Sequence, residues 1–107
     1  ELAVITLSPE MEQIIINTLK EKNTTGISLD PTFTKNMLKA IAQAYETASS
    51  KGDNCILLTS PIIRKELANL IRQNIEDLHV LAFTELPETR RINIIATIEN
   101  KLQEENN

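Results

Sequence analysis

The run from Cys55 to Phe83 limits what this chain can fold into more than any other stretch. An apolar segment, Cys55 to Leu58, stops at Ser60-Pro61, and apolar residues at helical spacing (Ile63, Leu67, Leu70, Ile71) carry the chain to Asn74. A second apolar segment, Val80 to Phe83, closes the unit. The pattern is strand, helix, strand. The connection from Leu58 to Val80 is too long for a hairpin and long enough for a helical crossover, so the two strands are expected to be parallel and the crossover right-handed.

The flanking segments extend the same design. Leu2 to Leu7 reads as a strand, and Ser8-Pro9 as the cap and first residue of a helix carrying Met11, Ile14, Ile15 and Leu19, with Asn23 to Gly26 as its exit. Asp30-Pro31 opens the longest helix, where Phe33, Met37, Ile41, Tyr45 and Ala48 share one face and Lys35, Lys39, Gln43 and Glu46 the other. Gly52 suits the left-handed conformation that ends helices. The third Pro junction, Ser60-Pro61, is expected to cap the helix of the central unit in the same way. Ile92 to Ile98 reads as a fourth strand. The turn before it, Thr84 to Arg91, is too short for a helical crossover, so this strand is expected to run antiparallel to its predecessor. The fold class is therefore α/β, a small mixed sheet of about four strands with three main helices, built on the parallel unit Cys55 to Phe83. One domain over residues 1–100 and a polar tail over 101–107 complete the expected organisation.

Composition narrows the function classes. With 107 residues the chain suits a single core, and with 3% aromatic residues that core must be aliphatic. A net charge of −4 opposes general binding to nucleic acid, because such a surface repels a polyanion. The one cysteine, Cys55, rules out an internal disulfide. No apolar run approaches the roughly 20 residues that span a bilayer, so a soluble chain without a membrane segment is expected. The sequence begins without Met, almost directly on a strand, as expected of the last part of a longer protein.

Each candidate reactive group also has an ordinary structural role open to it. Thr59, Ser60 and Glu85 fall at the C-terminal ends of the expected parallel strands, where open α/β sheets often bind ligands. A small ligand- or nucleotide-binding domain is therefore one alternative, but there is no glycine-rich loop, no Gly-Lys-Ser/Thr and no GxGxxG. His79 stands alone, so no metal site is expected. Cys55 leads an apolar run and reads as a buried thiol. Glu10, Glu12, Glu76, Asp77, Glu104 and Glu105 are scattered, with no spacing that calls for acid-base chemistry. Arg64, Lys65, Arg72, Arg90 and Arg91 make the second half locally basic, either as ordinary solvated faces or as a docking patch for an acidic partner. No catalytic residue, cofactor or metal is expected.

Several segments together resemble a known family. Ser60-Pro61-Ile62-Ile63-Arg64 after an apolar strand, Val80 to Pro87, and Arg91-Ile92 leading to Ala96-Thr97 are similar to the C-terminal cytoplasmic subdomain of the FlhA-type flagellar and type III secretion export gate family. Leu7 to Glu12 resembles that family's approach to its last subdomain, with Ser8 in place of the usual Asp. The tail from Glu99 to Asn107 is longer and more acidic than the family pattern. The resemblance implies a non-enzymatic module on the cytoplasmic side of the bacterial inner membrane, within a membrane-embedded protein. Its partners would be the other subunits of a ring of nine, export chaperones, substrates and ATPase components. The ending from Arg91 to Ile98 leans towards the flagellar branch, with the injectisome branch as the alternative. The surface expected to meet partners comprises Arg64, Lys65, Arg72, Glu85, Glu88, Arg90 and Arg91.

Overall fold

The computed structural model describes residues 1–22 and 30–100. The expected helix exit at Asn23 to Gly26 and the polar tail 101–107 lie outside the described residues. In chain order the elements are β1 (Leu2–Leu7), α1 (Pro9–Lys22), α2 (Pro31–Ser50), β2 (Cys55–Thr59), α3 (Arg64–Asn74), β3 (Val80–Ala82), a 3-10 turn (Phe83–Glu85) and β4 (Ile92–Ile98).

The caps explain two of the three helix starts. Ser8 Oγ accepts from the Met11 amide at 3.2 Å, and Asp30 Oδ2 accepts from the Phe33 amide at 3.0 Å. Each satisfies a donor that has no partner inside the helix, and Pro follows where no donor is needed. The Ser60-Pro61 expectation is corrected. Ser60 Oγ meets the Ile62 amide at 3.3 Å, but α3 begins only at Arg64 and has no side-chain cap. A tight turn, closed by the Ile63 amide on the Ser60 carbonyl at 3.2 Å, first drives Ile63 fully into the core. At the end of α2, Gly52 adopts φ +85°, and its amide donates to the Ser49 carbonyl, as its sequence position implied.

The sheet order is β3-β2-β1-β4, and all three pairings are parallel. The α/β class, the four strands, the three helices and the parallel central unit hold. The expectation that β4 runs antiparallel, and hence that the sheet is mixed, does not. That expectation took β3 and β4 as neighbours, whereas β4 pairs with β1 at the opposite edge. Residues 83–91 make the connection without a helix. Nine residues reach at most about 30 Å when extended, and even with Phe83–Glu85 wound into the 3-10 turn the remainder can cross three strand spacings of about 4.8 Å.

One core unites the helices with one face of the sheet. Ile5, Leu7, Cys55, Leu57, Val80 and Ile98 meet Met11 and Ile15 of α1, Phe33, Met37 and Ile41 of α2, and Leu67 and Ile71 of α3. On the other face Val4 and Leu58 are also buried, at 0% and 7% exposure, yet belong to no helix-packed cluster. By the handedness rule a return from β3 to β4 passes over that face. A bulge at Ile95 shifts the register, so Val4 pairs with Ile94 but Ile5 with Ala96. The shift reverses which residues face inward, placing Ala96 and Ile98 on the core side and leaving Ile92 and Ile94 at 40% and 55% exposure.

Ile41→Ala is expected to cost about 2–5 kcal/mol by removing a fully buried side chain, whereas Ile94→Thr should change stability by less than about 0.5 kcal/mol. Urea unfolding followed by circular dichroism measures both.

Candidate functional site

Parallel strands bring their C-terminal ends to one side of a sheet, and that side is where a ligand is first sought. Two carboxylates of the chain itself already occupy it. Glu12, on the first turn of α1, accepts from the Thr59 hydroxyl at 2.9 Å and from the Ser60 amide at 2.8 Å, both through Oε2. Thr59 is 2% exposed, so its hydroxyl depends on this acceptor. One strand over, Glu85 Oε1 accepts from the Ala82 amide at 2.7 Å and from Arg64 Nε at 3.3 Å. The donors that an anionic ligand would need at the ends of β2 and β3 are thus satisfied from within. This is where the alternative of a nucleotide site near Thr59 and Glu85 meets its physical obstacle. Glu12 was read from sequence as solvated surface. Its role depends on α1 lying beside the end of β2, 47 positions away, and local pattern carries no signal of that.

The remaining candidates resolve individually. Cys55 is buried at the start of β2, and burial, opposed by a backbone hydrogen bond and reinforced by Asp53, raises its pKa above the ordinary thiol value. Thiolate chemistry is therefore suppressed. His79 is exposed just before β3, and its carbonyl accepts from the Leu57 amide at 2.9 Å. Among the described residues no group of three or more His, Cys, Asp or Glu is placed to hold a metal ion, and no helix is long and apolar enough to cross a membrane.

The seven residues expected to meet partners do not form one patch. Arg64 and Arg72, two turns apart on α3, line a groove with His79, Glu76 and Asp77 beside β3. The Arg64–Glu85 pair, 38% and 43% exposed, links that groove to the turn after β3. Lys65 is exposed and stands outside that lining. Glu88, Arg90 and Arg91 are exposed in the connection to β4, and the Arg91 carbonyl accepts from the Leu2 amide at 3.0 Å. This second group therefore sits at the N-terminal end of the sheet, on the edge opposite β3.

The FHIPEP family profile matches residues 1–91. This chain belongs to the FHIPEP family. Among curated relatives, the invasion protein InvA of Salmonella typhimurium is 29% identical over 99 residues, covering 92% of this chain and 14% of InvA. The flagellar biosynthesis protein FlhA of Borreliella burgdorferi is 30% identical over 100 residues, again 92% of this chain and 14% of the relative. The chain therefore spans about a seventh of the length of these relatives. The crystal structure of the C-terminal domain of InvA superposes with a TM-score of 0.72 at 29% identity, covering 92% of this chain and 30% of that one. Two further structures share the fold: nonameric SctV-C from EPEC, at TM-score 0.73 and 17% identity over 91% of this chain and 29% of that one, and the Chlamydia pneumoniae CdsV and CdsO complex, at 0.64 and 24% over 90% and 28%.

Glu12→Ala is expected to lower stability by about 2 kcal/mol, since it removes charge-assisted bonds and leaves the Thr59 hydroxyl without its acceptor. Combining it with Thr59→Val should recover part of that loss, because no buried donor is then left unsatisfied. Chemical denaturation of the two variants provides the measurement.

Proposed function

We propose that this chain is a non-enzymatic module of a protein export gate of the flagellar type, on the cytoplasmic side of the inner membrane. It would contribute to the platform on which ring subunits, export chaperones, substrates and ATPase components dock. The observation that carries this reading is the FHIPEP match across residues 1–91. The ends of β2 and β3, where Glu12 and Glu85 take up the donors, agree with it. An assembly role for the parent protein is supported by the nonameric state of the EPEC relative, and docking of a partner protein by the complex of CdsV with CdsO. InvA and FlhA lie at nearly equal identity, so the injectisome branch remains the counterpart to the flagellar one.

Two surfaces are proposed for partner contact: the α3 groove with Arg64, Lys65 and Arg72 beside Glu85, and the connection carrying Glu88, Arg90 and Arg91. Reversing Arg90 and Arg91 to Glu in the full-length protein should weaken partner capture or ring assembly about tenfold, as expected for charges that steer association, while the fold is retained. Export and motility assays alongside pull-downs measure this, and unaltered export would remove that surface from the reading. A thermal-shift series with nucleotides and inorganic phosphate addresses the ligand-binding alternative. No shift is expected, whereas reproducible stabilisation would favour that alternative.

A further inference from the structure

A groove of about 640 Å³ runs between α2 and α3. Its floor is apolar, with Leu38 and Ala42 of α2 facing Leu70 and Ile75 at the end of α3, all four half-buried. Its margin carries Lys35 and Lys39, both exposed and one helical turn apart. Among the described residues neither lysine forms an ion pair. Asp30, beside Pro31 at the groove's end, has its carboxylate engaged with the Phe33 amide, and the Asn74 amide group donates to the Leu70 carbonyl at 2.8 Å.

Comparison with the other grooves makes this one distinctive. The groove between α2 and β4 mixes Lys39 with Glu99, and the one beside β3 mixes Arg64 and Arg72 with Glu76 and Asp77. Of these three grooves among the described residues, the α2–α3 groove is lined by charge of a single sign, and that sign is opposite to the net charge of −4. Its walls are two helices, whose backbone groups are satisfied internally, so an occupant gains affinity by burying side chains and not by adding a strand.

We propose that the α2–α3 groove is a docking site for a partner protein's amphipathic helix whose apolar stripe is bordered by carboxylates. The half-buried aliphatic residues on the two helices offer a furrow of the kind into which the ridge of a third helix packs. Lys35 and Lys39, one turn apart, match acidic residues spaced by four on the incoming helix. This site shares Ile75 but no charged residue with the α3 groove proposed above, so the lysine variants test it independently.

The test uses a synthetic helical peptide about three heptads long, with leucines at a and d and glutamates flanking them, titrated against the 107-residue chain. A second peptide carries lysines in place of the glutamates. Binding is read by fluorescence anisotropy and by amide chemical-shift mapping. The acidic peptide should perturb amides around Thr34 to Ala42 and Leu70 to Ile75 and bind at least about tenfold tighter than the basic one. Lys35→Glu with Lys39→Glu should reverse that preference without altering the thermal unfolding curve, and Leu38→Ser should weaken the acidic peptide. Equal binding of both peptides, shifts centred elsewhere, an unchanged preference in the double variant, or no binding at about 1 mM would each overturn the proposal.

Discussion

A single carboxylate oxygen ties together three parts of this domain. Glu12 Oε2, on α1, holds both the buried hydroxyl of Thr59 at the end of β2 and the Ser60 amide that starts the turn into α3. The turn then sends Ile63 into the core and sets the line along which Leu67 and Ile71 follow. Polar groups at the end of a buried parallel strand must be satisfied by something. In a ligand-binding α/β protein the substrate can serve, while here a side chain does. The consequence is that the ends of β2 and β3 have their donors satisfied by the chain's own carboxylates.

Much of this arrangement is legible in local pattern, and the exceptions, apart from the Ser60-Pro61 cap, share one cause. Ser8 and Asp30 cap where a polar residue precedes Pro, and Gly52 turns where a glycine follows a helix, because these devices act within four residues. The aliphatic stripes of α2 and α3 likewise report burial directly. The direction of β4, the role of Glu12 and the separation of Arg64 from Arg91 all depend on which strand lies beside which. Sequence spacing between β3 and β4 says how far the chain can reach, not where it lands. A nine-residue connection is short for a helical crossover but long enough to traverse a sheet.

The three helices pack on one face of the sheet, and the handedness rule sends the chain from β3 to the far edge over the other. This division decides what the domain can offer to other molecules. One side presents helix surfaces with their grooves, including the basic margin of α2. The other holds Val4 and Leu58, buried outside the helix-packed cluster. The bulge at Ile95 gives β4 two characters within seven residues, an exposed leading half and an inward trailing half. Bulges of this kind interrupt a ladder and discourage foreign strands from extending it, which keeps an edge with two exposed isoleucines from becoming a template.

The pairing of β1 with β4 joins the beginning of the chain to its end, as the contact between Thr6 and Thr97 across 91 positions shows. Such a closure is costly in loop entropy. When the chain is made on the ribosome, β1, α1, α2 and β2 emerge long before the strand that covers the open edge of β1. Until β4 arrives, that edge stays unpaired and available to other chains, so the interval between synthesis of β2 and β4 is when this domain is most exposed to misassociation.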